Sequence, residues 1–393
     1  MKRWAASLLL SLIGCHAPNA PPQWASHPNP PLGLPAPPTV GDNPATPAKQ
    51  ALGRKLFMDR RLSYNNTLSC AMCHIPEQGF SANEVATAVG IEGHSLRRNA
   101  PTLLNVAYVK QLFHDGREFS LENQVWGPLL ASNEMGNPSV GHVIDKITRM
   151  PDYLGLFQTA FNGQSANIQT IGAALAIYQR SLLSGNSRFD RWYYGGQPNA
   201  LTATEQAGYT VFTGQGHCIA CHQIGAKSAL FADGRFHNTG IGWAASMGQG
   251  PASHTIELAP GVQATVDDQN LSRISETPQP DVGRYEITQD LADRWAYRTP
   301  SLRNIALTAP YMHDGTLRTL EQVIAFYDRG GIDNPTKDPL LQPLHLTTEQ
   351  KHSLRAFLGT LTGDNLVQLQ HAARAEPINQ PIAPRAPVSD HSH

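Results

Sequence analysis

The pattern Cys-x-x-Cys-His occurs twice, as Cys70-Ala71-Met72-Cys73-His74 and as Cys218-Ile219-Ala220-Cys221-His222. On such a turn two thiols can form thioethers with a porphyrin's vinyl groups while the adjacent imidazole ligates the iron. A chain with two of these turns must fold around two large, flat, covalently held haems. Zinc sites and thioredoxin-like pairs use related spacings. Zinc ligand pairs, however, gather within a short stretch, and Cys73 and Cys218 are 145 positions apart. A redox Cys-x-x-Cys has no need of the histidine that follows both copies. Of five cysteines four lie in the motifs and the fifth is Cys15, so none is left for a structural disulfide.

The ends of the chain read differently from its middle. Lys2 and Arg3 precede a short apolar run to Ile13, an export signal too short to span a bilayer. The run ends in Leu12-Ile13-Gly14-Cys15, which resembles a bacterial lipobox. Residues 1–14 are therefore expected to be a lipoprotein signal, with Cys15 lipid-anchored in the periplasm; an ordinary signal peptide is the alternative. Eleven prolines between positions 17 and 47 predict an extended tether over 15–47. The stretch 365–393, which holds His371, His391 and His393, reads as a disordered tail. A formal net charge of −1 argues against nucleic acid as a partner.

The middle is partly duplicated. Asn99-Ala-Pro-Thr-Leu-Leu-Asn105-Val-Ala107 echoes Thr299-Pro-Ser-Leu-Arg-Asn304-Ile-Ala306. His114-Asp115-Gly116 and His313-Asp314-Gly315 follow at matching places. This predicts a mainly α fold of two tandem c-type cytochrome domains, 48–200 and 201–364, each wrapped around one haem with long loops. Thr202-x-x-Glu205 and Thr347-x-x-Gln350 have capping-box spacing, and residues 168–183 form an apolar run of helical length in which Tyr178 reads as core. Residues 240–281 read as loops with short strands. The halves differ fourteen residues after each His-Asp-Gly histidine, where the first has Pro128 and the second Tyr327. If they superpose, Tyr327 and His222 close one iron, while His74 leaves the other open. An open ferric haem binds peroxide, and a closed one passes electrons.

The two haem motifs, Asn99-Ala-Pro-Thr102, Phe113-His-Asp-Gly-Arg117, Gly127-Pro-Leu129, Asn133-Glu-Met135, Pro300-Ser-Leu-Arg-Asn304 and Leu307-Thr-Ala-Pro-Tyr-Met-His-Asp-Gly315 stand in order over residues 48–364. This set resembles the bacterial di-haem cytochrome c peroxidase and MauG superfamily. The resemblance implies that the first haem reacts with hydrogen peroxide and the second exchanges electrons. Tyr327 stands where the peroxidases have a methionine ligand and MauG-like members a tyrosine; Met312 is a rival by residue type. Glu134 falls at the family's acid/base carboxylate and Gln124 at its distal amide. Asn99, with the carbonyls of Thr308 and Pro310, matches an inter-domain calcium site.

Three departures stand beside these matches. His114 replaces the family's inter-haem tryptophan, for which nearby Trp126 is a substitute by residue type. Ile91 occupies the place of the histidine that caps the first iron in peroxidases, with His94 three residues on. Gly214-Gln215-Gly216 lacks the surface tryptophan that precedes MauG's second haem motif. The leading expectation is an enzyme that uses peroxide to oxidise residues such as tryptophan on a partner protein; some relatives act beside copper-handling, methanobactin-linked proteins. The alternatives are a conventional peroxidase drawing electrons from a small cytochrome or copper protein, and a non-enzymatic lipoprotein cytochrome.

Overall fold

The computed structural model describes residues 30–248, 253–259, 262–267 and 280–375. The export signal, Cys15, His391 and His393 lie outside the described residues. The fold is mainly helical, with two small two-stranded sheets among the described residues. Phe236–His237 pairs with Tyr297–Arg298, and Ser253–Ala259 forms an antiparallel hairpin with Val262–Asp267. No described helix is long and apolar enough to cross a membrane.

Each half is organised by one close helix crossing. Helix Pro47–Met58 begins at a Thr46 side-chain cap with proline in its first turn, and buries Leu52, Leu56 and Phe57 against helix Ile168–Arg180. A Cβ on Gly53 would lie 2.0 Å from the Ala174 carbonyl oxygen, so the backbones can meet only at glycine. In the second half, helix Ala203–Thr213 meets helix Thr348–Gly359 at Gly208, where a Cβ would lie 1.9 Å from the Ser353 oxygen. Both of these helices start with reciprocal capping boxes, Thr202 with Glu205 and Thr347 with Gln350, as their spacing predicts. Around the crossings lie two apolar cores. One is built from Leu52 to Leu182 with two residues of the last helix, the other from Phe189 to Leu361. Tyr178 and Trp126 are buried in the first.

The repeated asparagines converge on the junction between the halves. Asn105 brackets the Ser184 backbone, donating to its carbonyl (2.8 Å) and accepting from its N–H (2.9 Å). Asn304 Oδ1 accepts from the Ser184 hydroxyl (3.0 Å) and from Gly363 N (3.0 Å). Asn105 and Asn304 also share a left-handed backbone, with φ of 64° and 62°.

Two expectations about the ends are corrected. The part of the proline-rich stretch from residue 30 onward is docked on the body, not a free tether. Gly33 O accepts from Arg303 Nη2 (2.7 Å) and Ala229 N (3.0 Å), and Leu34 is buried beside Ala107 and Leu183. This strap lies against the fully buried ion pair of Arg303 with Asp190 (2.9 Å). Proline content signals an extended backbone, yet an extended backbone offers carbonyls to any buried donor that needs them. The tail reading fails over Leu366–Arg374, which is a helix. Leu369 and Ala373, four apart, sink into the first core, and Arg374 pairs with Glu77 (2.5 Å). Two apolar residues were too few to stand out against the proline and histidine beyond them.

Candidate haem-binding site

Both Cys-x-x-Cys-His turns open on a single cavity of about 2100 Å³ that reaches into the two halves. That exceeds the roughly 300–1,000 Å³ of an ordinary small-molecule pocket and suits two large cofactors. All four cysteines of the motifs line it.

The two histidines are held by the same device. His74 Nδ1 faces the Phe80 carbonyl at 3.3 Å, and His222 Nδ1 faces the Phe231 carbonyl at 2.8 Å. A carbonyl can only accept, so Nδ1 carries the proton and Nε2 presents its lone pair to a metal. Burial lowers both pKa values, that of His74 to about 4, which keeps the imidazoles neutral and able to ligate. Phe80 and Phe231 are fully buried in the left-handed region, with φ of 55° and 51°, a strained state for a bulky residue. The repeated Pro-Thr and Pro-Ser dipeptides fix them there. Thr102 Oγ1 donates to Gly79 O (2.5 Å) and Ser301 Oγ to Leu230 O (2.7 Å), in each case the carbonyl just before the phenylalanine. The duplication read in the sequence is therefore the hydrogen-bonding support of the two histidines. The phenylalanines themselves escaped notice because they stand six and nine residues after their histidines, with no shared spacing.

On the far side of the cavity the halves differ. Glu134, Gln124 and Pro128 line it. Burial raises the Glu134 pKa, against the opposing pull of Arg117, and its charge reaches the Cys70 and Cys73 thiols. Tyr327 lines it within electrostatic reach of Cys218 and Cys221, and Met312 lines it as well. Burial pushes the Tyr327 phenol above its ordinary value, so it is neutral until a cation draws its proton off. Ile91 is buried and packs toward Gly136. His94 lies at the cavity edge with its side chain 60% exposed, 4.0 Å from Glu92.

Between the halves, His114 Nε2 donates to Asn99 O (2.9 Å), and Asn99 N donates to His313 O (2.7 Å). One backbone unit thus links the two repeated histidines. Burial lowers the His114 pKa to about 3, leaving it neutral. His313 stacks on Tyr297 with ring centroids 3.6 Å apart. Trp126 is buried in the first core and does not line the cavity. Asn99, Thr308 and Pro310 line the same cavity, and the Asn99 side-chain amide donates to Ala86 O (2.8 Å). His237, absent from the sequence reading, is held between Asp233 (2.8 Å) and Asp338 (2.5 Å) beside Cys221.

Comparison with known proteins agrees with this arrangement. The di-haem cytochrome c peroxidase family pattern matches residues 47–198. The chain is 36% identical over 337 residues to cytochrome-c peroxidase IdrP1 of Denitromonas iodatirespirans, covering 85% of this chain and 86% of that protein. It is 36% identical over 323 residues to methylamine utilization protein MauG of Methylorubrum extorquens, covering 82% and 80%. Its fold matches the crystal structure of a MauG-like protein associated with microbial copper homeostasis, with a TM-score of 0.70, 32% identity and coverage of 87% and 97%. With this identity spread over most of its length, the chain belongs to the di-haem cytochrome c peroxidase and MauG family, and it is a haem-dependent oxidoreductase acting on peroxide.

Proposed function

We propose that the chain holds two covalent haem c groups in tandem cytochrome domains, reduces hydrogen peroxide at the first, and passes the oxidising equivalents through the second to a partner protein. Cys70 and Cys73 would hold one haem with His74 as ligand, and Cys218 and Cys221 the other with His222. The bound haems supply the one-electron chemistry of iron. The chain's own residues supply the asymmetry. Around the first, Pro128 offers no ligand atom, and Ile91 stands where a capping histidine would otherwise be. Glu134, half-buried with a raised pKa, is suited to take a proton from one peroxide oxygen and return it to the other. Gln124, which lines the same cavity, can donate a hydrogen bond that orients peroxide. Around the second, Tyr327 is the hard anionic donor that favours high oxidation states over easy reduction.

The observation that carries this reading is the contrast between Pro128 and Tyr327 at one offset in a repeat. Spectroscopy of the purified ferric protein tests it: one high-spin and one low-spin haem are expected, and Tyr327→Met should raise the second potential and abolish oxidation of a partner protein. Two low-spin signals at rest would overturn it. A conventional peroxidase is the second reading, favoured by IdrP1 standing at the same identity as MauG. Rapid steady-state turnover with reduced cytochrome c would select it. Relatives named as peroxidases give a non-catalytic cytochrome no support.

Calcium between the halves, on Asn99 Oδ1 and the carbonyls of Thr308 and Pro310, is part of the same proposal. So is a periplasmic location with a lipid on Cys15. Chelation should lower thermal stability if the ion is there, and a Cys15→Ser variant should leave the membrane fraction.

A further inference from the structure

The second half contains an aromatic cluster that core packing explains only in part. Phe189, Phe212, Phe231 and Phe357 are fully buried, as a core requires. Trp192, Tyr193 and Tyr209 are not. Tyr193 is 41% exposed, and Trp192 and Tyr209 are partly buried beside it. None of these three lines the haem cavity.

The exposed rings connect to the buried ones without a break. Tyr193 stacks on Phe189 at 5.3 Å with an interplanar angle of 18°, and Phe189 meets Phe231 at 5.2 Å. The Phe231 carbonyl then accepts a hydrogen bond from His222 Nδ1 (2.8 Å). Two ring contacts and one hydrogen bond thus join solvent to the histidine of the second motif. A second branch runs from Trp192 to Tyr209 at 5.1 Å, then to Phe357 at 5.7 Å. The matching Phe80 of the first half has no ring-to-ring partner among the described residues. Indole and phenol side chains can give up one electron, whereas a benzene ring cannot readily do so and serves only as packed medium for tunnelling. The cluster has oxidisable rings outside and inert rings inside, the order a conduit needs.

We propose that Trp192, Tyr193 and Tyr209 are the electron port of the second haem, used by protein donors too large to enter the cavity, with Phe189 and Phe231 as the medium leading to His222. This rests on the reading that His222 ligates a haem and that peroxide is the oxidant. Each peroxide takes up two electrons and two protons and leaves as two waters. The port supplies the electrons singly. At each passage Trp192 or a tyrosine loses one electron, a tyrosine also releasing its phenolic proton to solvent. The donor protein at the surface then returns the electron, is itself oxidised by one, and the proton comes back from solvent; no bond within the port is made or broken. The port stands in for the segment Gly214-Gln215-Gly216, which carries no aromatic ring.

The test uses the haem-loaded protein and peroxide with no donor, followed by peptide mass spectrometry. Oxidation should concentrate on Trp192, Tyr193 and Tyr209, although Tyr64 is more exposed at 52%. In the wild type, peroxide should generate an organic radical detectable by electron paramagnetic resonance, and replacing all three residues by Phe should abolish it. It should also slow reduction of the second haem by reduced cytochrome c by about tenfold or more, with peroxide binding unchanged. Oxidation that follows exposure, with Tyr64 first, would overturn the port, and so would an unaltered reduction rate in the variant. If the triple variant does not fold, the wild-type oxidation map decides alone. Peroxide consumed without labelling of these residues sinks the port and leaves the function standing; peroxide not consumed at all sinks both.

Discussion

His74 and His222 are each turned by the carbonyl of a buried, left-handed phenylalanine, and each phenylalanine is pinned by a hydroxyl from a repeated dipeptide. Elsewhere in the cavity lining the halves diverge at three positions of the repeat. Moving 199 positions from the first half to the second, Gln124 becomes Val323, Pro128 becomes Tyr327 and Glu134 becomes Asp333. Val323 and Tyr327 still line the cavity, but Asp333 is 94% exposed and paired with Lys337. Fixing the tautomer of a buried histidine is a backbone hydrogen-bonding problem with few solutions, so both halves keep the same one. What happens on the opposite face depends on a few side chains, which can change without disturbing the fold.

The contrast breaks most visibly at Tyr327. A Tyr327→Phe variant should convert the low-spin haem to high spin, making the halves spectroscopically alike. A low-spin signal that persists would assign the ligand to Met312 instead. Next in size is Glu134→Gln, expected to slow peroxide cleavage by about a hundredfold to ten-thousandfold while binding is retained. The same residue sets a pH test. Its pKa is raised above 4.5, so the proton stays on to higher pH than in a free carboxylate. Activity that needs the ionised form must therefore fall as pH drops through that raised value, and the fall should vanish in the glutamine variant. Arg303→Met tests the strap between the halves. It leaves Asp190 buried without its cationic partner and removes one of the two donors to Gly33 O, at a cost of roughly 3–5 kcal/mol in chemical denaturation. Ser184→Ala is the smallest: losing its hydroxyl bond to Asn304 should cost about 1 kcal/mol, since Gly363 N still satisfies the same oxygen.

The haem motifs, the duplication and the capping boxes were legible because each is a pattern of neighbours in sequence. So was the contrast of Pro128 with Tyr327, which needs only a shared offset. The strap at residues 30–46 was not, because its partner Arg303 is 270 positions from Gly33. Nor was the helix Leu366–Arg374, whose two buried residues gain their meaning only from the core they enter.

By itself the sequence determined which atoms are proposed to bind haem and that the two halves differ at one repeat offset, since motif chemistry and repeat offsets are local properties of the chain. The tertiary structure alone decided what holds the histidines in their ligating tautomer, where the ends of the chain dock, and which rings touch between Phe189 and Phe357. Those depend on backbone carbonyls and aromatic faces brought together from distant positions. Any residue can offer a carbonyl, and an aromatic ring usually means only packing, so neither marks its role until folding supplies the partner.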